Sequence, residues 1–395
     1  MELDLSVQPG HPDFSDLPWS LNLGAWVSVC ARLEAVPHGP SRHPVIFVNY
    51  DGVVYALKEM AAQSGEHEYR NLSTIEQLRL PAVHPIGYAK IKDSYRHWSV
   101  LITRYLDYSI PFRTLLIGSH LHRYREHLLD AIAGLLVQLH LADVYWGDCS
   151  LSNALFRRDA GALRAYLVDA ETAEITSNKI QPALRHQDLT IMEENILGEL
   201  ADLDADGYIN GKVPHSDVGA YIRLRYQQLW EEITRQDIIV PNEHYRIQER
   251  IRALNNLGFS VGEVELIKTM DGNQLRLQID VTDRNYHRDQ LMNLTGIEAE
   301  EMQAQKMMNE INELKATLSQ QNNRSTPLSA AAYHWQTNIY QPTIAKLKPL
   351  VRSDIDAAEL YCQILEHKWY LSESARHDVG HSTAIDDYLQ NFANK

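Results

Sequence analysis

Three residues in the stretch "VYWGDCSLSNALFRRDAGALRAYLVDAE" (144–171) have the types and spacing for work on a metal-bound substrate. They are Asp148, Asn153 five residues later, and Asp169 sixteen after that. Asp159-Ala160-Gly161 reads as a turn, with strand-like "ALFRR" before it and "LRAYLVD" after it. Folding the chain at Gly161 brings Asn153 and Asp169 together at the open end, because both are eight residues from it. Two oxygen donors side by side suit magnesium, which prefers oxygen ligands and keeps waters of its own. Asp148 is on the loop entering the hairpin, placed to accept or orient a hydroxyl proton beside the metal. Taken alone, the same residues also read as a chance Asp/Asn pair around a polar hairpin.

The elements upstream favour the chemical reading. A loop Asp, an Asn five residues on and a second Asp after a short hairpin is the arrangement of protein-kinase-like phosphotransferases, which also need a strand lysine for the α- and β-phosphates and a helix glutamate to hold that lysine. "WVSVCARLEAV" (26–36) reads as a strand, "PHGPSRH" (37–43) as a turn and "PVIFVNY" (44–50) as a second strand. Asp51-Gly52 then turns the chain into a third strand, "VVYALKEM" (53–60), which carries Lys58. "GEHEYRNLSTIEQLRL" (65–80) has helical spacing, with Glu68, Leu72, Ile75 and Arg79 near one stripe, Leu78 beside it and Glu66 facing outward. "HWSVLITRYLD" (97–107) reads as a further strand. Separately, Lys58 suits a solvated edge and Glu68 an exposed helix; with Asp148, Asn153 and Asp169 in this order, the five point to one site.

The rest of the chain reads as mainly helical. Residues 123–143 place Leu128, Leu129, Ile132, Leu135, Leu136 and Leu139 on one face of a buried helix. Helical stretches at 220–236 and 243–259 precede a hairpin at 263–281 with Asp271-Gly272 at its turn. A long polar helix at 299–321, rich in Met and Gln, suits a packing or partner surface. The fold class is α+β: a two-lobed kinase-like fold with an added, mostly helical C-terminal region containing a β-hairpin. The divisions are 1–107 (N-lobe, antiparallel sheet plus one helix), 108–240 (C-lobe with catalytic loop and metal-binding hairpin), 241–325 (C-terminal domain with the β-hairpin) and 326–395 (helical segment and tail).

A net charge of −15 argues against a broad nucleic-acid surface. Cys30, Cys149 and Cys362 form no close pair, which suits a reducing cytoplasm, and the start of the chain lacks a signal-peptide core. No run of about 18 apolar residues is present, so no transmembrane segment is expected.

The chain resembles the atypical bacterial group that includes the lipopolysaccharide-core (Kdo/heptose) kinases. More closely, it is similar to a bacterial family in which a lipopolysaccharide-kinase-like (protein-kinase-like) region precedes a C-terminal domain of unknown function. The stretches that carry the likeness are "SRHPVIFV", "YALKE", "EYRNL", "LITRYLDYSIPFR", "LVQLHLADVYWGDCSLSNALFRRDAGALRAYLVDAET" and "LTGIEAEEMQAQ". The resemblance implies ATP and magnesium as cofactors, Lys58 on the phosphates, Glu68 as its ion-pair partner and Asp148 as the catalytic aspartate. It makes Asn153 and Asp169 the metal ligands. It sets the backbone of Arg104, Tyr105 and Leu106 against adenine. Asp188 is either the buried aspartate that braces the catalytic loop or the N-cap of its own helix.

Three departures accompany the likeness. The first turn has Gly39 and Pro40 in place of a glycine-rich cradle, so Ser41 and Arg42 would supply phosphate contacts by side chain, or form a polar turn only. Trp146-Gly147-Asp148 replaces His-Arg-Asp, and Asp169-Ala170-Glu171 replaces Asp-Phe-Gly. Glu171 would add a metal ligand or spoil the site. His84, His140 and Cys149 read as structural, and His287 and Asp289 echo a catalytic loop without its hairpin. Three functions stay open: phosphoryl transfer to an unknown hydroxyl acceptor, a pseudokinase that binds nucleotide or a protein partner, and AMP transfer on the same fold.

Overall fold

A computed structural model describes the chain apart from residues 37–41, 95, 118–120, 177, 209–214, 240–242, 244, 269–274 and 393–395. The proposed phosphate contact Ser41 and the Asp271-Gly272 turn lie outside the described residues. The chain divides into two compact units, Met1–Phe156 with Ala165–Leu229, and Arg157–Arg164 with Trp230–Lys395.

The first unit begins with a five-stranded antiparallel sheet built from β1 (Glu2–Val7), β2 (Val45–Tyr50), β3 (Val53–Ala61), β4 (Pro85–Lys92) and β5 (His97–Arg104). The strand order is β1-β4-β5-β3-β2. Asp51 and Gly52 both adopt positive φ, at 53° and 87°, as the two-residue turn between β2 and β3 requires. One helix, α1 (Ser64–Gln77), packs on β3, β4 and β5.

Strand alternation sends Leu57 and Lys58 to opposite faces. Leu57 joins a cluster with Val48, Ile86, Val100 and Ile102. Phe14, Trp19 and Trp26 of the N-terminal segment complete that cluster.

The sheet corrects two readings. Residues 26–36 are not a strand: Leu23–Ser28 is a 3₁₀ turn capped by Asn22, followed by an isolated bridge from Leu33 to Val48. The buried pair is Leu23 and Trp26, three apart, while Val27 and Val29 are exposed, which is a helical spacing. The edge strand β1 was not among the strands read from the sequence; its acidic residues alternate with Leu3, Leu5 and Val7. β4 also escaped the sequence, because Pro85 and Gly87 interrupt its pattern. Gly87 is required there, since a Cβ would collide with the Ser6 backbone of β1.

The rest of this unit is mainly helical. β6 (Ile110–Pro111), α2 (Phe112–Ile117) and α3 (Leu121–Leu141) lead to β7 (Val144–Tyr145). The six leucine and isoleucine residues expected on the buried face of α3 are all buried. β8 (Ala154–Asp159) and β9 (Ala162–Leu167) form the hairpin, followed by β10 (Glu174–Ile175), α4 (Pro182–Ala205) and α5 (His215–Thr234).

The second unit holds a three-stranded sheet of β11 (Asp237–Ile239), β12 (Val261–Lys268) and β13 (Leu275–Val281), with α6 (Tyr245–Asn256). Helices α7 (Tyr286–Thr295), α8 (Glu301–Gln321), α9 (Leu328–Trp335), α10 (Gln341–Leu347), α11 (Ala357–Ala375) and α12 (Gly380–Phe392) follow. Met307, Met308, Ile311, Trp335 and Tyr361 form its main core, so the methionines of α8 pack inside. The hairpin tip belongs to this unit. There the Gln303 N–H donates to buried Asp159 and the Ala160 N–H to Glu359. Among the described residues, no helix is long and apolar enough to cross a membrane.

Candidate functional site

The site is built from β3, α1 and the segment from Trp146 to Glu171. Glu68 starts the apolar stripe of α1, and both Leu72 and Ile75 below it are buried. Because α1 packs on the sheet face that Lys58 occupies, the two side chains meet. Lys58 Nζ lies 3.0 Å from Glu68 Oε2 and 2.6 Å from Asp169 Oδ2. Glu66 points elsewhere, to Arg70 and Lys90.

Two carboxylates thus share one ammonium. Burial works against the Lys58 charge, but Glu68 and Asp169 outweigh it and hold its pKa above the usual lysine value. Glu68 is pushed up to about 7, first by burial and next by the charge of Asp169, against the pull of Lys58.

The hairpin meets at its base as the spacing predicted. The Val168 N–H donates to the Asn153 carbonyl at 3.0 Å, which sets Asp169 beside Asn153. The Asn153 side-chain amide donates to the Asp148 carbonyl at 3.0 Å and to Asp148 Oδ2 at 3.1 Å. That leaves the Asn153 Oδ1 as the outward acceptor. Among the described residues, no group of three or more His, Cys, Asp or Glu is placed to hold a metal ion. Asn153 Oδ1 and the Asp169 carboxylate are hard oxygen donors of the kind that would hold a magnesium ion.

Asp148 lies between two amides, because Asn195 Nδ2 of α4 donates to its Oδ1 at 2.9 Å. Gly147 before it has φ +82°, and a Cβ there would stand 2.8 Å from the Thr172 carbonyl. Glycine is required at this point, where a kinase loop of the usual pattern has arginine.

Asp188 accepts from the Trp146 and Gly147 N–H groups, each at 2.8 Å. It sits in the second turn of α4, past the Pro182 start, so bracing the loop is its geometry and capping is not. His140 bridges Asp188 Oδ2 at 3.0 Å and the Tyr226 hydroxyl at 2.8 Å. Burial pulls the His140 pKa down against the pull of Asp188, which favours the neutral ring. Cys149 is fully buried, and burial pushes its thiol well up, so it is no nucleophile.

At the hinge, the Arg104 N–H donates to His84 and the Tyr105 N–H to Val54. Those two donors are spent inside the protein. Among the described residues, the Leu106 N–H has no protein partner, so of the three backbone donors only Leu106 remains for a ligand. Arg42 is exposed after the first turn. Glu171 lies 3.8 Å from His43, and its N–H donates to Asp169 Oδ1.

Three site residues were missed. Asn71 donates to the Ala170 and Ala173 carbonyls at 2.8 and 2.9 Å, fixing the chain after Asp169 to α1. Its signal was available, since it lies one turn beyond Glu68. Asn195 and Glu199 hold the loop that carries Asp148 from α4, and no local motif marks them.

A sheet that carries an ion-paired lysine, one helix that carries its glutamate and a helical lobe with the Asp148–Asn153 loop define a protein-kinase-like fold. Residues 53–210 match the family model described as Lipopolysaccharide kinase (Kdo/WaaP) family, and residues 228–393 match the one described as Domain of unknown function (DUF4032). Among solved structures, the chain is similar to "WaaP in complex with acyl carrier protein". The identity is 16%, the match covers 58% of this chain and 100% of that one, and the TM-score is 0.34. It is also similar to the BubR1 kinase domain, at 14% identity over 36% of this chain and 47% of that one, with a TM-score of 0.29. No curated protein matches the chain.

Proposed function

We propose that the first unit is an ATP- and magnesium-dependent phosphotransferase that passes the γ-phosphoryl group to a hydroxyl acceptor. The observation that carries this reading is the Lys58 ammonium held between Glu68 and Asp169, beside a loop that presents Asp148. Lys58 engages the α- and β-phosphates, and Glu68 keeps it aimed. The Leu106 N–H takes the adenine, and the Arg42 side chain would add a phosphate contact. Asn153 Oδ1 and the Asp169 carboxylate would hold the magnesium. When bound, the metal neutralises phosphate charge. Asp148 accepts the proton of the acceptor hydroxyl as its oxygen bonds to phosphorus and the bond to ADP breaks.

A second reading, nucleotide binding without transfer, draws on the Gly39-Pro40 turn, which offers fewer backbone donors than a glycine-rich cradle. AMP transfer on the same residues is a third. Mass spectrometry of the purified chain and its candidate acceptors after incubation with ATP and magnesium separates the three, as phosphate gained, AMP gained or nothing gained. Phosphate addition that is absent in Asp148→Asn supports the proposal. AMP addition, or no addition to any acceptor with nucleotide bound, overturns it in favour of the corresponding alternative.

A further inference from the structure

Helix α4 carries three polar residues, Asp188, Asn195 and Glu199, spaced seven and four apart. At about 100° per residue they fall within about 20° of one line along the helix. Each grips a different part of the segment from Trp146 to Ser152. Asp188 takes the N–H groups of Trp146 and Gly147. Asn195 donates to Asp148 Oδ1 at 2.9 Å and to the Cys149 carbonyl at 3.1 Å. Glu199 accepts from the N–H groups of Leu151 at 3.0 Å and Ser152 at 2.8 Å.

Three residues of one helix stripe thus hold the loop along its length. Tying it this way is costly. Burial pushes the Glu199 carboxyl up, opposed by the N–H donors of Ser152 and Leu151. An apolar residue at either position would avoid burying a polar group. What the polar pair gains is visible at Asp148. Its Oδ1 meets Asn195 and its Oδ2 meets Asn153, so amides on both sides fix the plane of the carboxylate. Each oxygen accepts one of these bonds and keeps a second lone pair for a hydroxyl.

We propose that Asn195 is a positioning residue that fixes the Asp148 carboxylate toward the acceptor, with Glu199 anchoring the second half of the same loop. The inference rests on the phosphotransferase reading above. A carboxylate held on one side only swings about its Cβ–Cγ bond, and a misplacement of about 1 Å lowers a rate on the order of 100-fold. Asn195 bonds to Asp148 and Cys149 and not to the phosphate-binding Lys58 or the metal ligand Asp169, so nucleotide affinity is expected to change little with it.

The test is the steady-state release of ADP and inorganic phosphate by the full chain with ATP and magnesium, with water as the hydroxyl acceptor of the phosphoryl group, together with the rise in melting temperature that the nucleotide gives. Wild type, Asp148→Asn, Asn195→Leu and Asn195→Asp are compared. For both Asn195 variants kcat falls on the order of 10- to 100-fold, while KM for ATP and the nucleotide-induced shift stay within about twofold of wild type. A variant that fails to unfold cooperatively is set aside, and the other, of the same size, decides. If Asp148→Asn abolishes turnover and the Asn195 variants turn over like wild type, the positioning role is wrong and the reading of the site stands. If the variants lose nucleotide binding along with turnover, Asn195 is structural only and the proposal also fails. A wild type that releases no ADP, or an Asp148→Asn variant that equals it, overturns the reading of the site and the role of Asn195 with it.

Discussion

Both units bury charged groups, and they treat them differently. In the second unit, Glu310 accepts from Trp335 Nε1 at 2.7 Å and the Tyr361 hydroxyl at 2.5 Å, and His381 Nε2 lies 2.7 Å away as an ion-pair partner. Burial works against its charge, but His381 and the hydroxyl and indole donors outweigh it and hold the carboxyl below the usual range. In the first unit, Lys58 is divided between two carboxylates, and Asp148, Asn153 and Asp169 stay half-buried, with each Asp148 oxygen accepting a single amide bond. A saturated cluster serves stability. An under-satisfied one has capacity left for a ligand, and perturbed groups in such a place mark candidate sites.

The largest effect separating the two clusters is on rate. Asp148→Asn lowers phosphoryl transfer on the order of 10²- to 10⁴-fold and leaves thermal unfolding of the protein nearly unchanged. A variant that lost stability and kept its rate would place Asp148 with the structural group.

Next is the loss of Glu310. Glu310→Leu strips the Trp335 and Tyr361 donors of their acceptor, at a cost of about 1–3 kcal/mol for each buried group left unpaired. Denaturant unfolding measures it, and a loss below about 1 kcal/mol would mean the cluster is not structural.

Glu68→Ala comes third. Breaking a fully buried pair from one side costs about 3–5 kcal/mol, but Lys58 keeps Asp169 as a partner and 14% of its side chain is exposed, so about 1–3 kcal/mol is expected. Glu66→Ala, which removes only surface contacts, costs at most about 1 kcal/mol. Equal losses for the two would contradict the ion-pair geometry.

The smallest effect is a pH dependence in the second unit. Burial, and then the charge of Glu300, push the Asp159 carboxyl up to about 7. Its folded value is above its unfolded one, so its stabilisation is complete below the ordinary aspartate range and is lost as pH rises through about 7. Compared with Asp159→Asn, the wild type therefore loses stability between about pH 4 and pH 7. Unfolding midpoints taken across that range check the sign, and a relative gain would contradict it.

How much of this could be read in the sequence depended on whether the signal was local. The pairing of Lys58 with Glu68 over Glu66 followed from the helical stripe, and Asn153 beside Asp169 followed from symmetry about Gly161. Both are set by periods within about ten residues. The first strand was misread because the buried pair Leu23 and Trp26 sits inside a β-rich composition, and period three shows only once burial is known. Asn195 and Glu199 were invisible for another reason. Their partners lie more than forty residues away, and they matter only after α4 has packed against the loop. At the hinge, sequence gave three backbone candidates, and only the pairing of β5 and its neighbours shows that Arg104 and Tyr105 have spent their N–H groups.

The most direct test of the central claim is a calorimetric titration of ATP, with and without magnesium, into the wild type and three variants. The account predicts magnesium-dependent binding to the wild type, retained by Asp148→Asn, weakened by Lys58→Ala and stripped of its magnesium dependence by Asp169→Asn. No binding of any nucleotide to the wild type, or equal binding to all four proteins, would contradict it.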